Sequence, residues 1–373
     1  MTEFRVDMSD GRHKYDHPNG NTWQEYEIVN GKPQGKWIHY HSNGQVSIEQ
    51  EYDKGLKVGC WKTWHDNGVL WKEENYFGGK KNGGYLEYHA NGNLYKQYNY
   101  KNDKLEGEII AYYDNGIKQE EGYYKNNKKI GKWVQFNSES GKKLFELNYV
   151  DDKLDGKYIQ YNHDLVILDG MYEDDKKIDK WIYFNDKGEI RKEEKYQNGE
   201  IQEKKEWHPN GNEWKKYKYK DGKLNGKCIE YYKNGEKSSI QYWLSGKKDS
   251  DWIYYYDNGK VKETFMYDMD IIHGKREKYF YTGQIHMRRN YKNGVMEGLY
   301  EEWRMSGLKK NRSRGKMKNG EMDGKWTYWH PNGHKECEVV CKNGELIDGK
   351  VWDNGGNEKE NIRFKHLIGK EDD

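Results

Sequence analysis

The stretch "GKWIHYHSNG" at residues 35–44 returns 24 residues later as "GCWKTWHDNG" at 59–68, and the theme persists along most of the 373-residue chain. Counting the glycine of the first motif as position 1, units begin at Gly11, Gly35, Gly59, Gly83, Gly107, Gly131, Gly156, Asp179, Gln202, Gly226, Ser250, Gly274, Gly298 and Gly324, with a truncated unit from Gly349. Fourteen full units thus cover residues 11–348. A period this short is too small to bury a core of its own, so stability has to come from stacking neighbours. Two or three independent globular domains, the ordinary expectation for this length, are excluded.

Each unit carries two turn signals. Asn-Gly occupies positions 9 and 10 in nine units, as at Asn43-Gly44 and Asn115-Gly116. That dipeptide favours a type I′ hairpin turn, which needs positive φ at both central residues. The unit from Gly156 reads Asp164-Leu165 instead and predicts a different turn. A second Gly/Asn/Asp/Lys cluster near positions 19 to 24, as in "DKGLKVG" at 53–59, reverses the chain into the next unit. The expected fold is all-β: an elongated single antiparallel meander of about 14 tandem hairpins, forming a rod on the order of 130 Å. Residues 1–10 are read as an N-terminal cap, 11–348 as the repeats, and 349–373 as a truncated repeat with a C-terminal cap that could include a short helix.

Rings recur at three positions. Position 3 holds Trp37, Trp61, Trp133, Trp181, Trp252 and Trp326; position 6 holds thirteen rings from Tyr40 to Trp329; position 18 holds nine, including Tyr52, Tyr76 and Tyr267. Each set is expected to form a ladder along the sheet. Position 4, usually aliphatic as in Ile38, Leu86, Ile110 and Val134, shares a face with position 6, and that face is expected to be the better buried one.

Mean hydropathy is −1.35 and 34% of residues are charged, which alone would suggest disorder, but 34 Tyr, 15 Trp and 8 Phe argue for an ordered chain with a thin core of amphipathic rings. The net charge of +2 excludes a general polyanion-binding surface. Locally, thirteen Lys or Arg face four Glu between Lys275 and Lys318. Four cysteines make no disulfide framework. The charged start "MTEFRVDMSDGRHKYDH" is no signal peptide, and the longest aliphatic run, 165–168, is far short of a membrane span. A cytoplasmic, non-secreted protein is expected.

The unit G-K-W-x-x-Y-x-x-N-G … Y-x-x-G-K-x-x-G resembles the MORN repeat (membrane occupation and recognition nexus) in its variant form of about 24 residues, over essentially residues 11–355. The resemblance implies an elongated β sheet used for protein interaction, self-association or, in some members, contact with acidic lipids. Variant repeats also occur in bacterial proteins labelled antitoxins and in large DNA viruses of amoebae.

Catalytic signals are poor. Gly344-x-x-x-x-Gly349-Lys350-Val351 lacks the hydroxyl residue of a phosphate loop, and His39 and His41, ~7 Å apart on one strand face, find no third metal ligand. Asn311-Arg312-Ser313 is a glycosylation sequon without a secretory context. No enzyme, cofactor, metal or small-molecule substrate is expected. Candidate contacts to an anionic partner are Arg288, Arg289, Arg304, Lys309, Lys310, Arg312, Arg314, Lys316 and Lys318, with Trp303 as a stacking surface, against the plainer reading of a solvated strand. The position 3 tryptophans form a candidate aromatic contact ladder. The leading expectation is a non-catalytic scaffold for protein partners or self-association, such as a component of a viral particle. Its rivals are peripheral attachment to acidic lipid through 275–318 and an antitoxin-like binder; nucleic acid is disfavoured.

Overall fold

A computed structural model describes residues 6–305 and 311–359. The chain divides into two units, residues 1–189 and 190–373. In each, every described residue of regular structure lies in a strand, and successive arms of the meander pair antiparallel, as in Lys32–Tyr40 with Val46–Asp53 in the first unit and Ser250–Tyr255 with Val261–Asp268 in the second. This is the all-β hairpin meander that the turn spacing predicts. Of the tail proposed at 349–373 to carry a short helix, residues 360–373 lie outside the described residues; 345–359 forms one more hairpin, Glu345–Trp352 against Glu358–Lys359.

The Asn-Gly turns are not of the expected type I′. At the Asn-Gly sites only glycine is left-handed: Gly44 has φ 86°, its N–H donates to the His41 carbonyl at 2.9 Å, and the His41 N–H donates to the Gln45 carbonyl at 2.8 Å. That is a type I turn closed by a left-handed glycine, and it leaves a bulge where Tyr40 pairs with Val46 but His39 with Ile48. The type I′ turns sit between units instead, at Asn30 (φ 52°) with Gly31 (φ 68°), and at Asp151 (φ 49°) with Asp152 (φ 71°). Short Asn and Asp side chains tolerate this region at low cost. The exceptional unit indeed turns differently, Asn162 pairing with Leu165 across two residues with His163 at φ 58°.

Asn of the Asn-Gly pair earns its place by its side chain. Asn43 accepts the Gln45 N–H at 3.0 Å and donates Nδ2 to the Asp66 carbonyl of the next unit at 2.7 Å; Asn91, Asn115, Asn234 and Asn258 repeat the bond 23 residues ahead. Position 7 adds a parallel rung: His17, His41, His89 and His208 place Nε2 2.9–3.1 Å from the next unit's position 6 carbonyl, and the Tyr113, Tyr232 and Tyr256 hydroxyls donate to the equivalent oxygen. The hairpin edge is therefore laced unit to unit, satisfying carbonyls that a bare turn would leave to water.

Position 1 bends each long strand. Gly131 has φ 62°, and the pairing jumps from Glu121↔Val134 to Tyr123↔Ile130, so that three residues of one strand oppose Gly122 alone. The bend drops the Trp133 ring onto Gly122, where no Cβ could stand. Gly170 under Trp181 and Gly315 under Trp326 repeat the arrangement. Asp179 and Ser250 replace the bending glycine yet take φ 54° and 57°.

This bend decides which face is the core, and it corrects the expectation. Trp133 and Trp181 are 1% exposed, Trp252 and Trp326 3%, whereas Ile38, Leu86, Ile110 and all thirteen position 6 rings stay half-buried; Val134 is the exception. In the first unit Ile109, Trp133 and Leu147 form a buried cluster with Tyr124 and Tyr149 against it. In the second, Trp326, Cys337, Val339, Cys341 and Val351 do so.

Candidate interaction surface

The core face shows why the position 3 tryptophans cannot be a contact ladder. They do not stack on one another but interleave with position 18: Trp37–Tyr52 5.8 Å, Tyr52–Trp61 5.1 Å, Trp61–Tyr76 4.8 Å, and Trp252–Tyr267 5.5 Å between ring centroids. Tilted and edge-on pairs of this kind add about 0.5–1.5 kcal/mol each beyond their burial. A lysine four residues earlier lies over the indole, Lys129 at 3.9 Å from Trp133 and Lys177 at 4.1 Å from Trp181. The indole N–H of Trp61, Trp181, Trp252 and Trp326 donates to a carbonyl ten residues back, at 2.9–3.2 Å. Of the six, Trp37 alone is half-buried, packed 4.3 Å from Tyr26. These rings and their lysines are consumed by the fold.

Where the tryptophan is missing, ion pairs fill the core face. Lys204 holds Glu206 at 2.5 Å, and Arg276 grips Glu263 through Nε and Nη2 at 2.9 and 2.7 Å while lying over Phe265. Glu74, 7% exposed, is bridged by Lys81 and Lys72 at 2.7 and 3.0 Å; burial alone would raise its carboxyl, but the two lysines hold it below the usual range. Such compensation leaves no periodic mark in the sequence.

The opposite face carries the position 6 rings. Among the described residues no ring contact joins one of these to the next. Tyr40, Trp64, Tyr88, Tyr112, Phe136, Tyr161 and Phe184 in the first unit, and Trp207, Tyr231, Tyr255, Tyr279, Trp303 and Trp329 in the second, are each half-exposed and separated by two strand spacings, roughly 9–10 Å. Beside them runs a column in which position 4 pairs with position 15: Ile38, Glu49, Lys62, Glu73 and Leu86 are successive cross-strand partners. In the first unit this side of the column is Glu25, Glu49, Glu73, Gln97, Glu121, Glu146 and Asp169, the last two displaced by one residue by altered turns; in the second it holds Lys216, Arg288 and Arg314 alongside Glu193, Ile240, Thr264 and Glu338.

Two cations of the basic segment, Arg288 and Arg314, lie in this column, and both are paired. Arg288 joins Glu277 at 2.8 Å and Glu301 at 3.2 Å, Arg314 joins Glu301 at 3.3 Å, and Arg312 lies 3.5 Å from Glu302. On the core face Arg289 donates to the Tyr300 hydroxyl at 3.2 Å. Arg304 replaces the position 7 donor and bonds the Trp329 carbonyl at 3.2 Å. Lys316 and Lys318 are exposed with no ion pair among the described residues, and Lys309 and Lys310 lie outside those residues. Trp303 stands under Arg288, 5.7 Å from its guanidinium.

The remaining candidates dissolve into ordinary structure. His41 is a rung of the hairpin edge and His39 lies against Trp37, its basicity lowered by burial. Among the described residues no three potential ligands converge on a metal position. Gly344 closes a type I′ turn with Asn343, and Lys350 pairs with Glu358 at 2.9 Å. Asn311 begins the strand Asn311–Lys318. No helix of the described residues is long and apolar enough to cross a membrane.

Fold and surface together define a tandem-hairpin repeat protein. Seven of its segments, 33–54, 57–77, 81–102, 105–126, 248–269, 272–293 and 322–343, match the family model described as the MORN repeat variant, so the chain carries variant MORN repeats. No curated protein matches it. Among solved structures it is similar to the TcdB2-TccC3 crystal structure (12% identity, TM-score 0.17, 91% of this chain and 21% of that one) and to the Photorhabdus luminescens Tc holotoxin pore (11%, 0.18, 91% and 20%). It is also similar to alternansucrase in complex with isomaltononaose (15%, 0.18, 87% and 23%). The chain spans about a fifth of those structures, and at such TM-scores the likeness carries no argument.

Proposed function

We propose that this protein is a non-catalytic scaffold that binds other proteins through the half-exposed position 6 ring face. The carrying observation is the division of labour between rings: those at positions 3 and 18 are committed to the core, whereas those at position 6 are held half-open with no ring partner. Tyr and Trp presented on a rigid frame give contact area at small entropic cost, which is why interfaces are enriched in them. A cytoplasmic setting, or a place in a viral particle or other assembly, is compatible with this use. Attachment to acidic lipid through 275–318 would draw on exposed cations such as Lys292, Lys316 and Lys318, because Arg288 and Arg314 already serve Glu277 and Glu301. An antitoxin-like role would employ the same ring face.

The test is crosslinking mass spectrometry in the native source with the wild type and a Tyr88→Ser, Tyr112→Ser, Tyr255→Ser variant whose circular dichroism is unchanged. Loss of partner crosslinks in the variant is the expected result. Undiminished crosslinks would remove the ring face from the function, and flotation on phosphoinositide vesicles that is present at low salt and lost at high salt would move the assignment to lipid.

A further inference from the structure

A lysine four residues before the position 3 ring recurs on the core face. Lys57, Lys81, Lys129, Lys177 and Lys248 hold Nζ 3.9–5.5 Å from the centroid of that ring. All but Lys177 also lie 5.0–5.3 Å from a tyrosine on the following strand, so that one ammonium covers two rings. Trp326 has Met322 at the lysine position, and that side chain packs against its cluster.

Trp37 departs from this pattern twice. The residue four before it is Pro33, which has no ammonium. Under its indole stands Tyr26, stacked at 4.3 Å, where Gly122, Gly170 and Gly315 stand under Trp133, Trp181 and Trp326. An indole resting on a ring instead of bare backbone is lifted from the sheet. Its N–H accordingly has no partner among the described residues, whereas Trp61, Trp181, Trp252 and Trp326 donate to a carbonyl ten residues back. Trp37 is half-buried, while the other five position 3 tryptophans are at most 7% exposed. Tyr52 stands beside it at 5.8 Å, tilted by 53°, and His39, whose basicity burial lowers, stacks at 5.9 Å without supplying a cation at neutral pH.

We propose that Trp37 and Tyr52 form a binding site for an alkylammonium group supplied from outside the chain, and that its occupant is a lysine side chain of a partner protein. The sister units choose the occupant: the same pair of rings is covered there by a lysine of this chain. A lysine lays its methylenes on apolar surface and keeps its charge in water, and the negative face of an indole attracts the ammonium. Charge favours the same ligand. Between Asn21 and Gly55 three lysines face five carboxylates, and residues 1–189 hold 27 Lys and Arg against 32 Asp and Glu, a net −5. The site lies on the face opposite the position 6 rings and does not depend on them.

Heteronuclear NMR of the full chain with isotope-labelled tryptophan reads each indole N–H separately, and Trp37→Phe identifies the Trp37 signal by its loss. The probe is Nα-acetyl-lysine methylamide; the norleucine analogue, which keeps the stem without the ammonium, is its control. The lysine probe should shift the Trp37 signal saturably, half-complete on the order of 10–100 mM for a lone ammonium in water. Trp61, Trp133, Trp181 and Trp252 should stay unmoved because their own lysines are in place, and the norleucine analogue should leave Trp37 unmoved. Pro33→Lys gives this unit the lysine of its sisters, so it should move the Trp37 signal with no probe present and weaken probe binding by about tenfold or more. Pro33→Met, which copies Met322, should also weaken binding and serves if Pro33→Lys fails to fold. A Trp37 signal that ignores the lysine probe, follows norleucine equally, or titrates unchanged in the Pro33 variants overturns the proposal. A shift with tetramethylammonium and none with the lysine probe overturns the lysine assignment.

Discussion

Trp133 lies flat on Gly122, and the space a Cβ would need on that glycine is already filled by the indole. The contact arises because Gly131 turns left-handed two residues before the tryptophan and folds its strand over the neighbour. Gly122→Ala should therefore destabilise the first unit by about 1–3 kcal/mol or more through overpacking. Urea denaturation followed by circular dichroism measures it, and an unchanged midpoint would mean the ring does not sit there.

Ser250 and Asp179 take the left-handed bend that glycine takes in most units. A non-glycine residue there costs roughly 1–2 kcal/mol, partly offset by the freer unfolded chain of glycine. Ser250→Gly should raise the stability of the second unit by about 1 kcal/mol, read as a shift in the denaturation midpoint.

Indole hydrogen bonding separates two tryptophans of equal burial. Trp252 donates to the Tyr242 carbonyl at 2.9 Å, whereas the buried Trp133 N–H has no partner among the described residues. Trp252→Phe loses a bond worth about 1 kcal/mol, while the Tyr242 carbonyl keeps the Asp249 N–H at 3.0 Å, so it should cost more than Trp133→Phe by roughly that amount. Equal costs measured in the same buffer would refute the assignment of the bond.

Acid should unfold the protein through its bridged carboxylates. In Glu74, Glu146 and Glu277 burial works to raise the carboxyl, but paired cations win and hold it below the ordinary range. A depressed folded-state pKa gives stability that is present above the unfolded value of about 4.3 and lost as pH falls below it. Melting temperature should be flat near neutrality and fall steeply below about pH 4.5, the lower part of the fall lying below the unfolded carboxylate value. Glu74→Gln should flatten part of that fall.

Thiol reactivity should follow burial. Cys60 is exposed, while Cys228, Cys337 and Cys341 are buried and burial pushes the Cys337 thiol up to about 12. Iodoacetamide at pH 8 should label Cys60 alone in the folded protein and all four in urea, as counted by mass spectrometry.

Much of this architecture was legible from the chain. Asn-Gly at a fixed offset and Trp37, Trp61 and Trp133 at one recurring position identify hairpins, their number and their family, because turns and period 2 alternation are local properties. The faces were misjudged for an equally definite reason. Simple alternation puts Ile38 and Tyr40 together on the aliphatic side, and aliphatics suggest the core. The bend at Gly35 and its equivalents inserts unpaired residues into the ladder, and only the register of the neighbouring strand reveals that Trp133 then covers Gly122. The Asn-Gly turn type was misread on similar grounds: Asn43 serves by a bond to Asp66 in the next unit, which no dipeptide preference contains.

The candidate surface divides in the same way. That position 6 would be aromatic in unit after unit was readable in the letters, and so was the cluster of thirteen cations between Lys275 and Lys318. Their fates were not: Arg288 is neutralised by Glu277, eleven residues away, and by Glu301, thirteen away. Sequence by itself determined the repeat, the hairpins and the all-β class, since each depends on residues within one unit. Tertiary structure decided which face is buried, which rings are spent and which charges remain free, since each depends on the strand next door, and pairing across strands is an interaction between units that a one-dimensional period does not encode.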